Sequence, residues 1–229
     1  MKKLAIILPG FLDSKDYPHL VDLDNEFKKL GFSTVRLNPT GTWGDEQNIT
    51  KYSISQYLED IDEVINQSGK QDRIVLAGHS LGGTVAILYA ASHENISTVI
   101  AIMSPATYLR DENWQKIVKW QKDGFKISVR DLPGDKNVMK KFILPYDFIE
   151  DSKKYDVIKE ILKFTGNMLL IAGEQDDCVT FDQIQEIYDH ANQPKSLKLI
   201  RNIGHDYRHN KNEIKIVNKE VVDFIKSIS

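Results

Sequence analysis

The sequence has a single cysteine, Cys178, and few long apolar runs. One cysteine excludes an intrachain disulfide and is compatible with a reducing compartment, so we expect a cytoplasmic protein. The apolar run near the start ends after five residues at Pro9-Gly10, short of the ~7–15 residues of a signal peptide. No run approaches the ~18 residues of a membrane span. We therefore expect mature protein without a membrane-spanning segment.

The chain also lacks an excess of positive charge. Its 229 residues carry 30 Lys and Arg against 33 Asp and Glu, a net charge of −3. A nucleic-acid surface needs clustered basic side chains that dominate the charge of the domain, so no nucleic-acid partner is expected. The histidines show no spacing typical of metal ligands, so we expect neither a metal nor another cofactor. The six histidines stand at positions 19, 79, 93, 190, 205 and 209.

What the chain does have is an alternation of short apolar runs with longer amphipathic segments. The short runs resemble strands buried on both faces, and the segments between them have helical spacing. This order predicts an α/β fold with a mainly parallel sheet of about six strands and helices on both faces. The predicted strands cover residues 4–8, 34–37, 74–77, 99–103, 168–172 and 197–200.

One long segment interrupts this alternation. Residues 104–166 separate two predicted strands by far more than the ~10–12 residues of a plain crossover. Within it, Ile117 and Trp120 indicate a short helix, and F-K-I-S-V-R can pair with N-V-M-K-K-F-I as a hairpin. The sequence therefore predicts one domain over 1–229, with 104–166 inserted as a small cap.

The segment G-H-S-L-G-G at 78–83 follows the strand I-V-L-A and precedes the apolar helix T-V-A-I-L-Y-A-A. A G-x-S-x-G sequence between a strand and a helix is typical of the nucleophile elbow, a tight turn that presents the serine. The alternative is a glycine-rich helix N-terminus that either only turns the chain or holds a phosphate. The flanking elements favour Ser80 as a nucleophile.

A serine nucleophile needs a base, and the base needs an orienting acid. His205 follows a predicted strand, and Asp176 follows another in the spacing G-x-x-D-x-x-V. Asp177 remains the alternative acid, and His190 and His209 are the weaker alternatives for the base. The carboxyl ends of parallel strands meet at one edge of a sheet, so Ser80, Asp176 and His205 are expected to lie together.

With these motifs, the chain resembles the α/β-hydrolase superfamily over essentially its whole length, but without the antiparallel hairpin that begins the family's sheet. The resemblance implies an oxyanion hole formed by the backbone N–H groups of Leu81 and Phe11. Phe11 lies in L-P-G-F-L, where Pro9 replaces the family's usual histidine. The segment 38–45, N-P-T-G-T-W-G-D, resembles the family's D-x-x-G-x-G-x-S loop and contributes Trp43 as a candidate substrate contact.

The insertion also resembles the small caps of bacterial cinnamoyl and feruloyl esterases and of monoacylglycerol lipases. Tyr146 and Asp147 are the candidate contacts for a phenolic hydroxyl. Relatives that cleave epoxides or carbon–halogen bonds carry aspartate at the elbow, and dienelactone hydrolases carry cysteine. The resemblance therefore implies a serine hydrolase acting on small or medium, partly apolar carboxylic esters. A ligand-binding protein without activity, and a thioesterase, perhydrolase or lyase with the same triad, remain alternatives.

Overall fold

The structure is a computed structural model that describes residues 1–107, 109 and 114–228. The predicted insertion therefore includes 108 and 110–113, which lie outside the described residues. Eight strands are found in the described part: β1 (Lys3–Leu8), β2 (Ser33–Arg36), β3 (Arg73–His79), β4 (Ile96–Ile102), β5 (Phe125–Leu132), β6 (Asp135–Pro145), β7 (Asn167–Gly173) and β8 (Lys195–Ile200).

Eight α-helices connect these strands or follow them within the same described ranges. They are α1 (Pro18–Lys29), α2 (Ile54–Ser68), α3 (Leu81–Ser92), α4 (Trp114–Asp123), α5 (Asp147–Ser152), α6 (Val157–Glu160), α7 (Phe181–His190) and α8 (Lys211–Ser227).

Six strands form one parallel sheet in the order β2-β1-β3-β4-β7-β8. Alternate side chains of each strand point to opposite faces, and both faces bury apolar residues. One core contains β1, α1 and α8 side chains such as Ile7, Phe27 and Val217. The other contains Ile6 with side chains of α2, α3 and α7. The predicted parallel sheet with helices on both faces is confirmed.

Helix α3 lies deepest in this arrangement. Residues 81–91 of the helix are all buried. Its residues are mostly apolar on every side of the helix, which is typical of a helix buried all round rather than of a surface helix. Its N-terminus is consequently held in place by the sheet, directly after β3.

The long segment between β4 and β7 contains α4, the antiparallel hairpin β5–β6 and the short helices α5 and α6. The hairpin strands extend further than the motif suggested, because the turn is only Pro133-Gly134. Gly134 has φ +87°, a left-handed conformation that glycine adopts without the steric cost of a Cβ.

Part of the apolar surface of the helices is exposed. Helix α4 buries Ile117 and Trp120 and exposes Trp114 and Val118. In the described residues, no helix combines the length and the apolar character needed to cross a bilayer.

Candidate active site

The elbow predicted at Ser80 has the expected local geometry. Ser80 follows β3 and precedes α3, with φ +52° and ψ −123°. A positive φ is costly for a residue with a Cβ and persists only where the surroundings impose it. Here the Ser80 N–H donates to the carbonyl of Ile102, at the end of β4, at 2.8 Å. The turn is thereby fixed between two neighbouring strands of the sheet.

The glycines around Ser80 are required by close backbone approach. A Cβ at Gly78 would collide with the backbone of Gly82 and Gly83, and a Cβ at Gly82 would collide with the Leu8 carbonyl at the end of β1. Both obstacles are backbone atoms, which cannot rotate away as a side chain can. The G-x-S-x-G spacing is thus explained by packing of the elbow against β1 and the start of α3.

The three residues predicted as a triad meet at the carboxyl edge of the sheet. His205 Nε2 lies 3.1 Å from Ser80 Oγ, and His205 Nδ1 lies 2.9 Å from Asp176 Oδ2. The Asp176 side chain is fully buried, and the His205 side chain is 17% exposed. With the Asp176 carboxylate as acceptor, His205 donates a hydrogen bond through Nδ1–H, and Nε2 is left as the acceptor for a hydrogen bond from the serine hydroxyl.

Asp176, rather than Asp177, makes the contact with His205. Its second oxygen, Oδ1, accepts the N–H groups of Cys178 at 2.8 Å and Val179 at 2.7 Å. Both oxygens of this buried carboxylate therefore have donors, which fixes its orientation. Asp177 is exposed, and its Oδ1 is 3.6 Å from the Cys178 sulfur.

Cys178 joins Asp176 and His205 in the one group of potential metal-ligand atoms found in the described residues, all within 4.8 Å. Asp176 and His205 are already hydrogen-bonded to each other. The thiol surface is exposed, but partial desolvation and the carboxylates of Asp177 and Asp176 raise the pKa of Cys178 to about 11. At neutral pH it is a thiol rather than a thiolate, and thiolates are the form that binds metals and attacks electrophiles.

The other candidate histidines are placed differently. His190 is exposed on α7, with Nδ1 2.8 Å from the carbonyl of Glu186. His209 Nε2 lies 3.6 Å from Asp131. His79 Nε2 donates to the carbonyl of His205 at 3.1 Å, and burial holds the pKa of His79 well below its usual value. His79 therefore supports the His205 loop as a neutral ring, a role that the sequence did not indicate.

The loop 9–12 after β1 passes directly over the elbow. A Cβ added at Gly10 would lie 3.3 Å from the Ser80 Cβ. All four carbonyls of this loop have donors. The Tyr57 hydroxyl donates to the Pro9 carbonyl at 3.1 Å, and the Asp13 N–H donates to the Gly10 carbonyl at 3.0 Å. Arg130 donates to the Phe11 carbonyl at 2.7 Å, and the Trp43 indole N–H donates to the Leu12 carbonyl at 2.9 Å. A loop held at every carbonyl presents its N–H groups in a fixed direction.

The hairpin contributes to this site through contacts that no pattern in the sequence indicates. Arg130, on β5, donates through two nitrogens to the Phe11 carbonyl and lies 3.2 Å from the Asp13 carboxylate. The next residue, Asp131, pairs with Arg208 at 3.0 Å, three positions after His205. Burial raises the pKa of Asp13, and the nearby Arg130 and Arg208 oppose that shift. Adjacent hairpin residues thus contact both loops of the site.

The predicted substrate contacts are less close to the triad. The Trp43 indole N–H is bound to Leu12, so this ring supports the loop 9–12. Tyr146 is partly buried, with its ring 6.4 Å from Trp120, and Asp147 is exposed at the start of α5. Within the described residues, no hydrogen bond, ion pair or ring contact joins Tyr146 or Asp147 to Ser80 or His205. The structure thus places both with the inserted segment.

An aromatic row links the loop 9–12 to the inserted segment. The Phe11 ring lies 5.1 Å from that of Phe148, and Phe148 stacks with Tyr52 at 5.3 Å and with Trp120 at 6.1 Å. Phe11 is only partly buried. Tyr52, Phe148 and Trp120 are buried, so the row packs the loop 9–12 against the inserted segment, and Phe11 is its partly exposed member.

The comparison with protein families agrees with this geometry. Residues 4–135 match the family model described as the alpha/beta hydrolase fold. The match covers more than half of the chain, and the chain therefore belongs to the α/β-hydrolase family.

Relatives within this family carry out different reactions. The chain is 27% identical to proline iminopeptidase from Saccharolobus solfataricus over 71% of its length and 50% of that protein. It is 31% identical to epoxide hydrolase 3 from Xenopus tropicalis over 44% of its length and 27% of that protein. The chain thus spans half or less of the length of these curated relatives.

Among solved structures, the chain is similar to Est1E from Butyrivibrio proteoclasticus, solved with ferulic acid bound. The TM-score is 0.75 at 21% identity, and the match covers 98% of this chain and 88% of that one. A likeness at this identity establishes the shared fold.

Proposed function

We propose that the protein is a serine hydrolase that cleaves carboxylic esters through Ser80, His205 and Asp176. The observation that carries this proposal is the continuous hydrogen-bond path from Asp176 through His205 to Ser80, with distances of 2.9 and 3.1 Å. The strained elbow supports it, because a turn imposed on a serine at an α/β-hydrolase sheet edge is the geometry of an activated nucleophile.

The proposed reaction is acyl transfer in two steps. His205 takes the Ser80 proton as the hydroxyl attacks the ester carbonyl, and Asp176 holds the ring in the productive tautomer. The N–H groups of Leu81 and Phe11 stabilise the oxyanion, and the alcohol leaves with the proton from His205. Leu81 is the first residue of α3, where backbone N–H groups have no acceptor within the helix. Water then attacks the acyl-enzyme while His205 takes its proton, the bond between the acyl carbon and Ser80 Oγ breaks, and the carboxylic acid leaves as His205 returns the proton to Ser80.

The partly apolar substrate class is supported by Phe11, which is partly exposed in the loop that passes over Ser80. An aromatic ring at this position favours an acyl or aromatic group over a strongly polar one. We propose that 104–166 acts as the cap over this group, with Tyr146, Asp147 and Trp43 as its candidate contacts. Because Est1E was solved with ferulic acid, a hydroxycinnamoyl ester is the natural aromatic test substrate.

Two other substrate classes are suggested by the relatives. An epoxide substrate is disfavoured, because Ser80 occupies the elbow where such relatives carry aspartate. Prolyl peptides remain the second candidate, favoured by the match to a proline iminopeptidase over 71% of this chain. Both esters and peptides pass through a tetrahedral oxyanion, so the two candidates use the same residues and differ in the pocket alone.

The test compares the wild type and Ser80→Ala on p-nitrophenyl acetate, butyrate and octanoate, a hydroxycinnamoyl ester and proline p-nitroanilide. We expect ester hydrolysis by the wild type and a loss of about 10⁴–10⁶ in kcat for Ser80→Ala. Ser104→Ala is the control, since Ser104 is also buried beside α3 but outside the relay. A loss of only a few fold in Ser80→Ala would contradict the proposal. Activity restricted to the proline anilide would favour the peptidase.

A further inference from the structure

The hairpin β5–β6 has an apolar outer face that the proposed hydrolase chemistry does not use. On this face Phe125 lies opposite Pro145, Ile127 opposite Ile143, and Val129 opposite Lys141. The four side chains Phe125, Ile127, Val129 and Ile143 are 45–51% exposed. The opposite face carries Phe142 and Leu144, which are buried. We call Phe125, Ile127, Val129, Ile143 and Lys141 the hairpin outer face.

Helix α4 extends this apolar surface. A cavity of about 490 Å³ opens between α4 and β5, with Trp120, Phe125, Ile127 and Ile149 among its apolar lining residues. Lys116, Lys119 and Lys126 also line it. Asp123 lines it too, so its charged residues are three lysines and one aspartate. A contiguous exposed apolar surface with a charged rim is typical of an interaction site rather than of an ordinary solvated surface.

The charge of this region differs from that of the chain. Residues 114–145 contain eight Lys and Arg and three Asp, a net charge of +5, whereas the whole chain has −3. Some of these cations have carboxylate partners, such as Lys119 with Asp123 and Lys140 with Glu46. In the part of the chain that the structure describes, Lys122, Lys136 and Lys141 have no ion-pair partner. The region therefore combines exposed apolar side chains with uncompensated positive charge.

We propose that the hairpin outer face and α4 dock on an anionic lipid bilayer. Apolar side chains enter the boundary between headgroups and acyl chains, and the surrounding lysines bind lipid phosphates. A second copy fits less well, because a two-fold dimer brings the same face of both copies together and would bring the lysines that lack an ion-pair partner in both copies into one interface. A membrane supplies the apolar layer and the negative charge in one surface.

The first experiment is co-sedimentation of the full chain with vesicles. We expect the protein to pellet with phosphatidylcholine vesicles that contain phosphatidylglycerol, and to remain in the supernatant with pure phosphatidylcholine. Binding should weaken strongly at ~1 M salt, where the screening length falls to about 3 Å. Absence of binding to the anionic vesicles overturns the proposal and leaves an acidic protein as the occupant to seek. Equal binding to both kinds of vesicle also overturns it.

Two matched pairs of variants locate the surface. Ile127→Asp should weaken vesicle binding by about tenfold or more, since it removes apolar area and adds a repelled charge. Ile216→Asp, on α8, makes the same change at the same exposure and should leave binding within about twofold. Lys141→Gln should weaken binding about fivefold, and Lys215→Gln on α8 should not. Equal effects within either pair would overturn the assignment.

The state of assembly provides an independent test. Size-exclusion chromatography with light scattering should give the same mass for the wild type and Ile127→Asp. If the wild type is a dimer and Ile127→Asp is a monomer, the face binds a second copy and the lipid proposal fails. Thermal unfolding of Ile127→Asp and Lys141→Gln checks that their loss of binding does not reflect loss of fold.

Discussion

Replacing Asp176 with asparagine should move the ring proton of His205 from Nδ1 to Nε2 without changing the positions of the three side chains. Oδ1 of Asp176 accepts two backbone N–H groups, from Cys178 and Val179. In the variant this position must still hold the amide oxygen, because an NH₂ group there would face two donors in a buried site. Each hydrogen bond lost in that way costs about 1–3 kcal/mol. The side-chain NH₂ is therefore directed at His205.

That orientation decides the tautomer of His205. The amide NH₂ takes the place of Oδ2, 2.9 Å from His205 Nδ1. It can only donate, so Nδ1 must lose its proton and become the acceptor, and the ring proton moves to Nε2. Nε2–H faces Ser80 at 3.1 Å and cannot accept the hydroxyl proton. We expect kcat to fall by about 10⁴, which is about 5 kcal/mol of transition-state stabilisation.

The assay is hydrolysis of p-nitrophenyl acetate by the wild type, Asp176→Asn and Asp177→Asn. Asp177→Asn is the matched control, an exposed neighbour for which we expect a change within about twofold. Nitrogen NMR of the His205 ring gives a readout that needs no substrate, since it distinguishes a proton on Nδ1 from one on Nε2. A folded Asp176→Asn protein with less than a tenfold loss would refute the reasoning, and so would an equal loss in Asp177→Asn.

Three further predictions concern the support of the site. Gly82→Ala should lower the free energy of unfolding by about 3 kcal/mol, because its Cβ would collide with the Leu8 backbone; an unchanged denaturant midpoint would contradict this. Arg130→Lys should lower kcat/KM for p-nitrophenyl acetate about tenfold, because the ammonium of lysine cannot replace the fork of two guanidinium nitrogens that donate to the Phe11 carbonyl. Arg201→Lys, at an exposed position, is its control, and equal effects would contradict the role of the fork. Burial lowers the pKa of His19 to about 3, so between pH 6.5 and 3 this ring binds a proton in the unfolded chain but not in the folded one. The free energy of unfolding therefore falls as the pH falls from 6.5 towards 3. Between pH 6.5 and 4.5 the wild type should therefore lose about 2–3 kcal/mol more than His19→Phe in urea titrations, and parallel pH profiles would refute this.

The sequence was most informative where local pattern and fold agree. Short apolar runs between helical segments predicted the parallel sheet, because strands covered on both faces must be apolar at every position. The order of Ser80, Asp176 and His205 after successive strands predicted their meeting, because a parallel sheet gathers its carboxyl ends at one edge. The choice of Asp176 over Asp177 depended on spacing alone, and in the structure Asp176 makes the contact with His205.

Contacts between distant segments could not be predicted in this way. Arg130 and Phe11 are 119 residues apart, and no periodicity in either segment indicates that they meet. The hairpin is a second case. Its strand β5 alternates apolar and polar residues, which normally places the apolar side in a core. Here Ile127 and its cross-strand partner Ile143 both face solvent. The buried face of the hairpin is filled by the alternate positions of β6, such as Phe142.

The two faces of this hairpin therefore make separable contributions. Arg130 and Ser128 belong to the face that packs inward, and Arg130 fixes the loop 9–12 above Ser80. Ile127 and Val129 point the other way and are about half exposed. Because successive residues of a strand alternate between faces, one short segment can orient the oxyanion loop and present an apolar, basic surface at the same time. Changes at odd positions from 125 to 129 should alter what the surface binds, whereas a change at Arg130 should alter turnover, since only the latter side chain touches the loop beside the nucleophile.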